Sequence, residues 1–199
     1  MSNAYYLFID ITAFILFAFL HSFLASFKIK SILAQRIGSA MAFYRLAYNI
    51  IFLFLFFYLY ESLPRPDAEL FELKFPWDII ILIPQFMSLA GIIWTFRYFS
   101  FSEFAGISQI KRWMAGDVFD EKLTLKIEGP YKVVRHPLYL FTSVFLILRP
   151  TMDLFYLVFL IFLIAYFYVG SFYEERKLVS AFGDQYRKYQ ESVPRLFPL

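Results

Sequence analysis

The chain of 199 residues contains no cysteine. Disulfides, thiolate zinc sites and a cysteine nucleophile are therefore excluded. Histidine is nearly as scarce, with His21 and His136 alone, so a histidine-rich metal centre is not expected and no metal is assigned. The first ten residues, MSNAYYLFID, carry no basic group, and no small-residue cleavage site follows the apolar stretch. A cleaved leader is not expected, and the first apolar run reads as a retained span. Internal repeats and low-complexity linkers are also lacking. Charged residues are sparse, at 18%. The net charge of +3 and pI near 9.0 do not indicate nucleic acid, because the basic residues fall in segments between apolar runs, as membrane topology requires.

What the chain has instead is apolar surface. Hydrophobic residues make up 60% and aromatics 23%, with a mean hydropathy of +0.59. A soluble domain is usually about 45–50% apolar. The 28 phenylalanines sit in runs rather than at core spacing, so membrane lipid is the expected partner. A bilayer core about 30 Å thick needs about 20 apolar residues as a helix. The runs Tyr5–Phe27, Phe43–Leu63, Ile79–Phe99 and Met152–Tyr173 meet that length. Pro137–Leu148 is shorter and reaches only about 18 Å. Arg149-Pro150 then breaks it, so Pro137–Tyr173 reads as a hairpin of a short fourth and a full fifth helix.

Loop charge gives an orientation. Segment 28–42 carries Lys28, Lys30 and Arg36 and no acid, whereas segment 61–78 carries five acids against Arg65 and Lys74. Segment 97–136 has seven Lys/Arg and the tail 174–199 has five. Lysine and arginine favour the cytoplasmic side. The expectation is an all-α integral membrane protein of about five transmembrane helices, N-terminus outside and C-terminus cytoplasmic, forming one domain over 1–199.

Polar chemistry concentrates in 100–136 and 174–199. In Gly129-Pro130-Tyr131-Lys132-Val133-Val134-Arg135-His136-Pro137-Leu138-Tyr139, Gly-Pro marks a turn and Pro137 suits the first turn of a helix. His136 falls at its cap, where free N–H groups suit an anion. A membrane-insertion turn with interfacial Arg, His and Tyr anchors accounts for the same residues. Downstream, Leu178, Phe182, Tyr186 and Tyr189 recur at helical spacing and predict a cytoplasmic amphipathic helix. Glu174 shares that face and is expected to point inward, where a carboxylate needs a partner: a ligand, or Arg135 or Arg195. In Ser192-Val193-Pro194-Arg195-Leu196-Phe197-Pro198, two prolines fold the tail back, and Arg195 could clamp a phosphate or carboxylate. In the N-terminal half, His21 lies inside the first span and reads as a packing residue.

Taken together, GPY-x(3)-RHP-x-Y, EE-x(2)-L and FG-x(2)-Y-x(2)-Y-x(3)-VPR-x(2)-P resemble the signature of membrane methyltransferases related to isoprenylcysteine carboxyl methyltransferase, over about a third of the chain. His21-Ser22-Phe23-Leu24-Ala25-Ser26, Tyr44-Arg45-Leu46-Ala47-Tyr48-Asn49, the F-x-G-x-x-Q piece at 104–109 and Pro150-Thr151-Met152 are similar to a branch holding NnrU-like proteins and methanethiol S-methyltransferases. The resemblance implies an S-adenosylmethionine-dependent membrane methyltransferase with a small or lipophilic acceptor, a thiol or a prenylcysteine-type carboxylate. It divides the chain into three N-terminal spans (1–99) and a cofactor-binding loop, hairpin and tail (100–199). It implies that Tyr131, Arg135, His136, Pro137 and Tyr139 hold the cofactor from one side. Glu174 and Glu175 would approach its ribose or amine, and Tyr186, Tyr189 and Arg195 would close the site. His136 and Arg195 are the candidate catalytic residues. The rival readings are an NADPH-dependent membrane reductase of the sterol-reductase-like type and a non-catalytic NnrU-like protein.

Overall fold

The computed structural model describes residues 2–117 and 123–197. Residues 118–122 of the basic 97–136 segment, and Pro198 of the C-terminal motif, lie outside the described residues. Among the described residues, four helical stretches are long and apolar enough to cross a membrane: Asn3–Ala25, Phe27–Ser62, Trp77–Phe96 and Leu154–Phe182. Pro137–Ile147 is apolar but short. The chain is thus an all-α membrane protein; its described residues hold four stretches long enough to span and the half-length helix that opens the C-terminal hairpin.

Two segments differ from expectation. Segment 28–42, read as a loop, is mostly helical. Helix α1 (Asn3–Ala25) stops at Ser26, whose hydroxyl accepts from the Ile29 N–H and caps α2 (Phe27–Ile37). A single 3-10 turn, Gly38–Ala40, leads into α3 (Met41–Ser62). Lys, Ile, Leu, Ala, Gln and Arg sustain a helix well enough, and three basic side chains do not break one. The expected separate amphipathic helix after Tyr173 is likewise absent as such. The last span continues to Phe182, turns at Gly183, and the tail helix is the short Asp184–Ser192.

The chain forms two compact units. One comprises Met1–Leu7, Arg65–Phe99 and Leu123–Leu199. It contains β1 (Glu69–Glu72), α4 (Trp77–Ile80), α5 (Leu82–Phe96), α8 (Pro137–Ile147), β2 (Thr151–Asp153), α9 (Leu154–Phe182) and α10 (Asp184–Ser192). Its centre is the packing of α5 on α8. Ser88, Gly91 and Thr95 recur at helical spacing on α5, a small-residue stripe that lets two membrane helices approach closely. A Cβ on Gly91 would sit 2.5 Å from the Phe141 ring. Gln85 Nε2 donates to the Phe145 carbonyl at 3.0 Å. At the hairpin bend β1 and β2 pair antiparallel, with Phe71 opposite Met152. Asp153 caps α9 by accepting from the Tyr156 N–H at 2.8 Å, and Arg149 lies 4.1 Å over the Tyr156 ring.

The other unit comprises Phe8–Pro64 and Ser100–Lys122. It holds most of α1, then α2 and α3, with α6 (Phe101–Ala105) and α7 (Ile107–Met114). Tyr44 and Tyr48 on α3 donate to the Leu24 and His21 carbonyls of α1, both at 2.8 Å. The His21 ring packs against Phe52, Tyr48 and Phe17. The two N-terminal motifs therefore meet as a helix–helix seam.

Candidate active site

The polar residues of the first unit gather at the end of the hairpin opposite the β-ribbon. Gly129 opens a 3-10 turn, Gly129–Lys132, at φ +57°, a conformation that a side chain rarely adopts. It also sits so close to the Tyr98 ring that a Cβ would fall within 2.4 Å. The chain then reaches His136 at the N-cap of α8, with Pro137 in its first turn as expected. The tail returns alongside: the Arg135 N–H donates to the Pro194 carbonyl at 2.9 Å and the His136 N–H to the Arg195 carbonyl at 3.1 Å.

At the centre lies Glu175, only 2% exposed. Arg135 grips it with two guanidinium nitrogens, Nε to Oε1 at 2.8 Å and Nη2 to Oε2 at 3.3 Å. Gln190 Nε2 and Arg195 Nη2 donate to Oε2 at 2.8 and 3.0 Å. The remaining Arg135 nitrogen donates to the Gln190 and Val193 carbonyls at 2.8 and 2.5 Å. The inward carboxylate is therefore Glu175, not Glu174. The expected face runs through Leu178, which is itself only half-buried, whereas the buried line of α9 passes through Ser171 and Glu175. One residue of difference rotates the side chain by about 100° around a helix.

Glu174 retains 53% side-chain exposure. It accepts from the Tyr139 hydroxyl at 2.6 Å and faces His136 Nδ1 at 3.3 Å. The other ring nitrogen, Nε2, lies 3.2 Å from Glu175 Oε1. Both imidazole nitrogens thus face carboxylates, which suits the doubly protonated ring. Burial pulls the His136 pKa down, but the hydrogen bonds and charges of Glu174 and Glu175 outweigh it and raise the pKa above its usual value. The ring stacks on Tyr139 at 5.4 Å between centroids, and Tyr139 stacks in turn on Phe167 at 4.6 Å.

The tyrosines divide by role. Tyr186 and Tyr189 are buried, and the Tyr189 hydroxyl donates to the Tyr131 carbonyl at 2.5 Å. Tyr189 thereby ties the Gly129–Lys132 turn to α10, and Tyr186 packs edge-on against Tyr189 at 5.7 Å. Burial, with the Glu174 charge behind it, pushes the Tyr131 phenol up to about 12, so Tyr131 is a neutral donor at physiological pH.

Beyond Glu175 a cleft of about 450 Å³ opens between α9 and α10, lined by Phe172, Arg176, Val179, Ser180, Gln190 and Arg195. The Arg195 guanidinium carbon lies 3.6 Å over the Phe172 ring. This size lies within the range of small-molecule sites, about 300–1,000 Å³. The structure therefore brings Tyr131, Arg135, His136, Pro137, Tyr139, Glu174, Glu175, Tyr186, Tyr189 and Arg195 to one end of one unit. Sequence reading passed over Gln190, Phe172 and Phe167. Phe172 lies one turn before Glu175 on α9, and Gln190 reaches it from α10; neither carries a signal in the sequence.

The chain is 29% identical to methanethiol S-methyltransferase 1 of Bradyrhizobium diazoefficiens, over 99% of the chain and 68% of that protein. It is 30% identical to a methanethiol S-methyltransferase of a Pseudomonas species, over 75% of the chain and 56% of the relative. A third, from Crocosphaera subtropica, is 33% identical over 61% of the chain and 50% of its own length. No protein-family model and no solved structure matches the chain.

Proposed function

We propose that this methanethiol S-methyltransferase-like membrane protein transfers a methyl group from S-adenosylmethionine to a small thiol. The observation that carries the reading is similarity along nearly the whole chain to a protein of that name, joined to the clustering of its C-terminal polar motifs at one end of the hairpin.

The donor set fits such a cofactor, which bears a carboxylate, an ammonium and a sulfonium. Arg176, Arg195, Ser180 and Gln190 line the cleft and suit the anionic end and hydroxyl groups. Glu174, half-open to solvent, suits a cationic group. Glu175 accepts from four side chains and acts as the internal anchor that aims Arg135, His136, Gln190 and Arg195. When bound, the cofactor supplies an electrophilic methyl group on a positively charged sulfur.

The chain's own part is alignment. In-line displacement gains most from holding the reactants in position. A thiolate and a sulfonium lose both charges as the new S–C bond forms and the old one breaks, so a site of low dielectric favours the transfer. The thiol must first lose its proton. His136 is ill placed as a base, since both nitrogens already face carboxylates. Half-exposed Glu174 leaves that side of the site open to water, and the thiol proton is lost to solvent there. The charge pattern of the loops further supports a cytoplasmic site, with the N-terminus outside.

Transfer of labelled methyl from S-adenosylmethionine, assayed with purified protein in lipid nanodiscs, tests the reading. Methanethiol and other short thiols are expected to be methylated, and prenylcysteine carboxylates and lipid amines are not. Binding of NADPH without S-adenosylmethionine would overturn it.

A further inference from the structure

The second unit contains a helix whose polarity is inverted. On α7, Ile107, Ile110, Trp113 and Met114 share one face, and Ser108, Gln109 and Arg112 share the other. A short amphipathic helix on a water-soluble surface turns its apolar face to the protein. Here Gln109 is 5% exposed, whereas Ile107, Trp113 and Met114 are all exposed, Met114 to 75%. Phe101 and Phe104 of the preceding α6 are exposed as well.

The inward polar groups bond to one another. Arg112 forms an ion pair with Glu103, its Nη2 lying 3.0 Å from Oε2. Gln109 Nε2 donates to the Glu103 carbonyl and carboxylate, both at 3.3 Å. Ser108 donates to Ser102 at 2.8 Å. Arg45 Nε and Asn49 Nδ2 of α3 both donate to the Phe104 carbonyl at 2.9 Å. Gly106 joins α6 to α7 in a left-handed conformation, φ +95°, and a Cβ there would lie 2.6 Å from the Leu46 amide nitrogen. Trp113 meets the Phe43 ring edge-on at 5.1 Å.

The α3 partners, residues 43–49, belong to the first three turns of a helix long and apolar enough to span a membrane. At the end of such a span water thins out, and polar groups gain most from partners within the protein. Apolar side chains pointing away from the protein then meet hydrocarbon. Exposed Lys111 borders the apolar face, where its long side chain can reach the headgroups, and Trp is favoured at that boundary. We propose that α6–α7 is a membrane-embedded interfacial element whose outward face, Phe101, Phe104, Ile107, Trp113 and Met114, is covered by the acyl chains of one leaflet. The F-x-G-x-x-Q motif then builds a polar-inward, apolar-outward fold-back beside α3. This reading uses only the second unit and does not depend on the proposed methyl transfer.

The test uses the full chain in phosphatidylcholine nanodiscs with Trp77→Phe and Trp94→Phe, leaving Trp113 as reporter. Fluorescence should be lost with lipids spin-labelled near the headgroup end of the acyl chain and remain with aqueous iodide. Quenching by iodide without quenching by labelled lipid would make the segment a solvated loop. Quenching by neither would place protein over the face. Either result overturns the proposal. Because the chain lacks cysteine, Met114→Cys and Asp117→Cys give a second measurement. A membrane-impermeant maleimide should label Met114→Cys several-fold more slowly than Asp117→Cys in open nanodiscs, and equal rates would refute the embedding.

Discussion

Arg135 and Glu175 lie 40 residues apart in sequence and meet as a two-pronged ion pair, 2.8 Å at the shorter contact, with both side chains nearly excluded from solvent. Removing one member of a buried pair strands the charge of the other. Glu175 is also the shared acceptor of His136, Gln190 and Arg195. Glu175→Gln is therefore expected to destabilise the protein by about 3–5 kcal/mol, read as a lowered midpoint of thermal unfolding in detergent. Glu174→Gln, at a half-exposed position, should cost under about 1 kcal/mol. Equal melting of the two variants would show that Glu175 is not the anchor.

His136 gives a pH prediction with a definite sign. Its folded pKa is raised above its usual value by Glu174 and Glu175 against the opposing effect of burial. The stabilisation from the charged ring is thus complete below about pH 6.5, the unfolded value, and is lost as pH rises through the folded pKa. Nuclear magnetic resonance of labelled histidine resolves this readily, since His21 is the only other histidine. The His136 signal should titrate above the ordinary histidine value, and Glu174→Gln should lower the midpoint. Titration at or below the ordinary value would contradict the double hydrogen bond.

The stack of Arg195 on Phe172 separates shape from charge. Arg195→Lys keeps the charge but loses the planar stack and the aimed nitrogen. Affinity for S-adenosylmethionine, measured by calorimetry, should fall about tenfold, equivalent to about 1.4 kcal/mol. Retained affinity would remove Arg195 from the proposed binding group.

Gly91 tests the packing beneath the site. Gly91→Ala drives a methyl group into the Phe141 ring and should destabilise by about 1–3 kcal/mol. Phe141→Leu in the same chain should recover part of the loss. Additive losses in the double variant would deny the contact.

The long spans were legible because a bilayer tolerates few other sequences there, and the cap at His136-Pro137 because proline fixes its own place. The choice between Glu174 and Glu175 was not legible. It depends on helical phase, and the reference residue Leu178 is itself only half-buried, one position round from the buried line of Ser171 and Glu175. Lys28, Lys30 and Arg36 were read only for membrane orientation, and their charge says nothing about backbone, so α2 went unseen. The pairing of Phe71 with Met152 joins segments distant in the chain and too short to carry a period of their own. In α7 the alternation of polar and apolar faces was visible in the residues, but which face turned outward depended on α3.

Helix α9 also works as a ruler. It starts at Leu154 beside the β-ribbon and carries Glu174 and Glu175 about 30 Å away along its axis, close to the thickness of one hydrocarbon core. The ribbon-to-carboxylate distance is fixed by hydrogen-bonded backbone and cannot adapt to its surroundings. Membranes made from longer lipids would draw the charged cluster toward oil or tilt the helix, and shorter lipids would lift it clear. Turnover should therefore peak at one acyl-chain length and fall on either side of it.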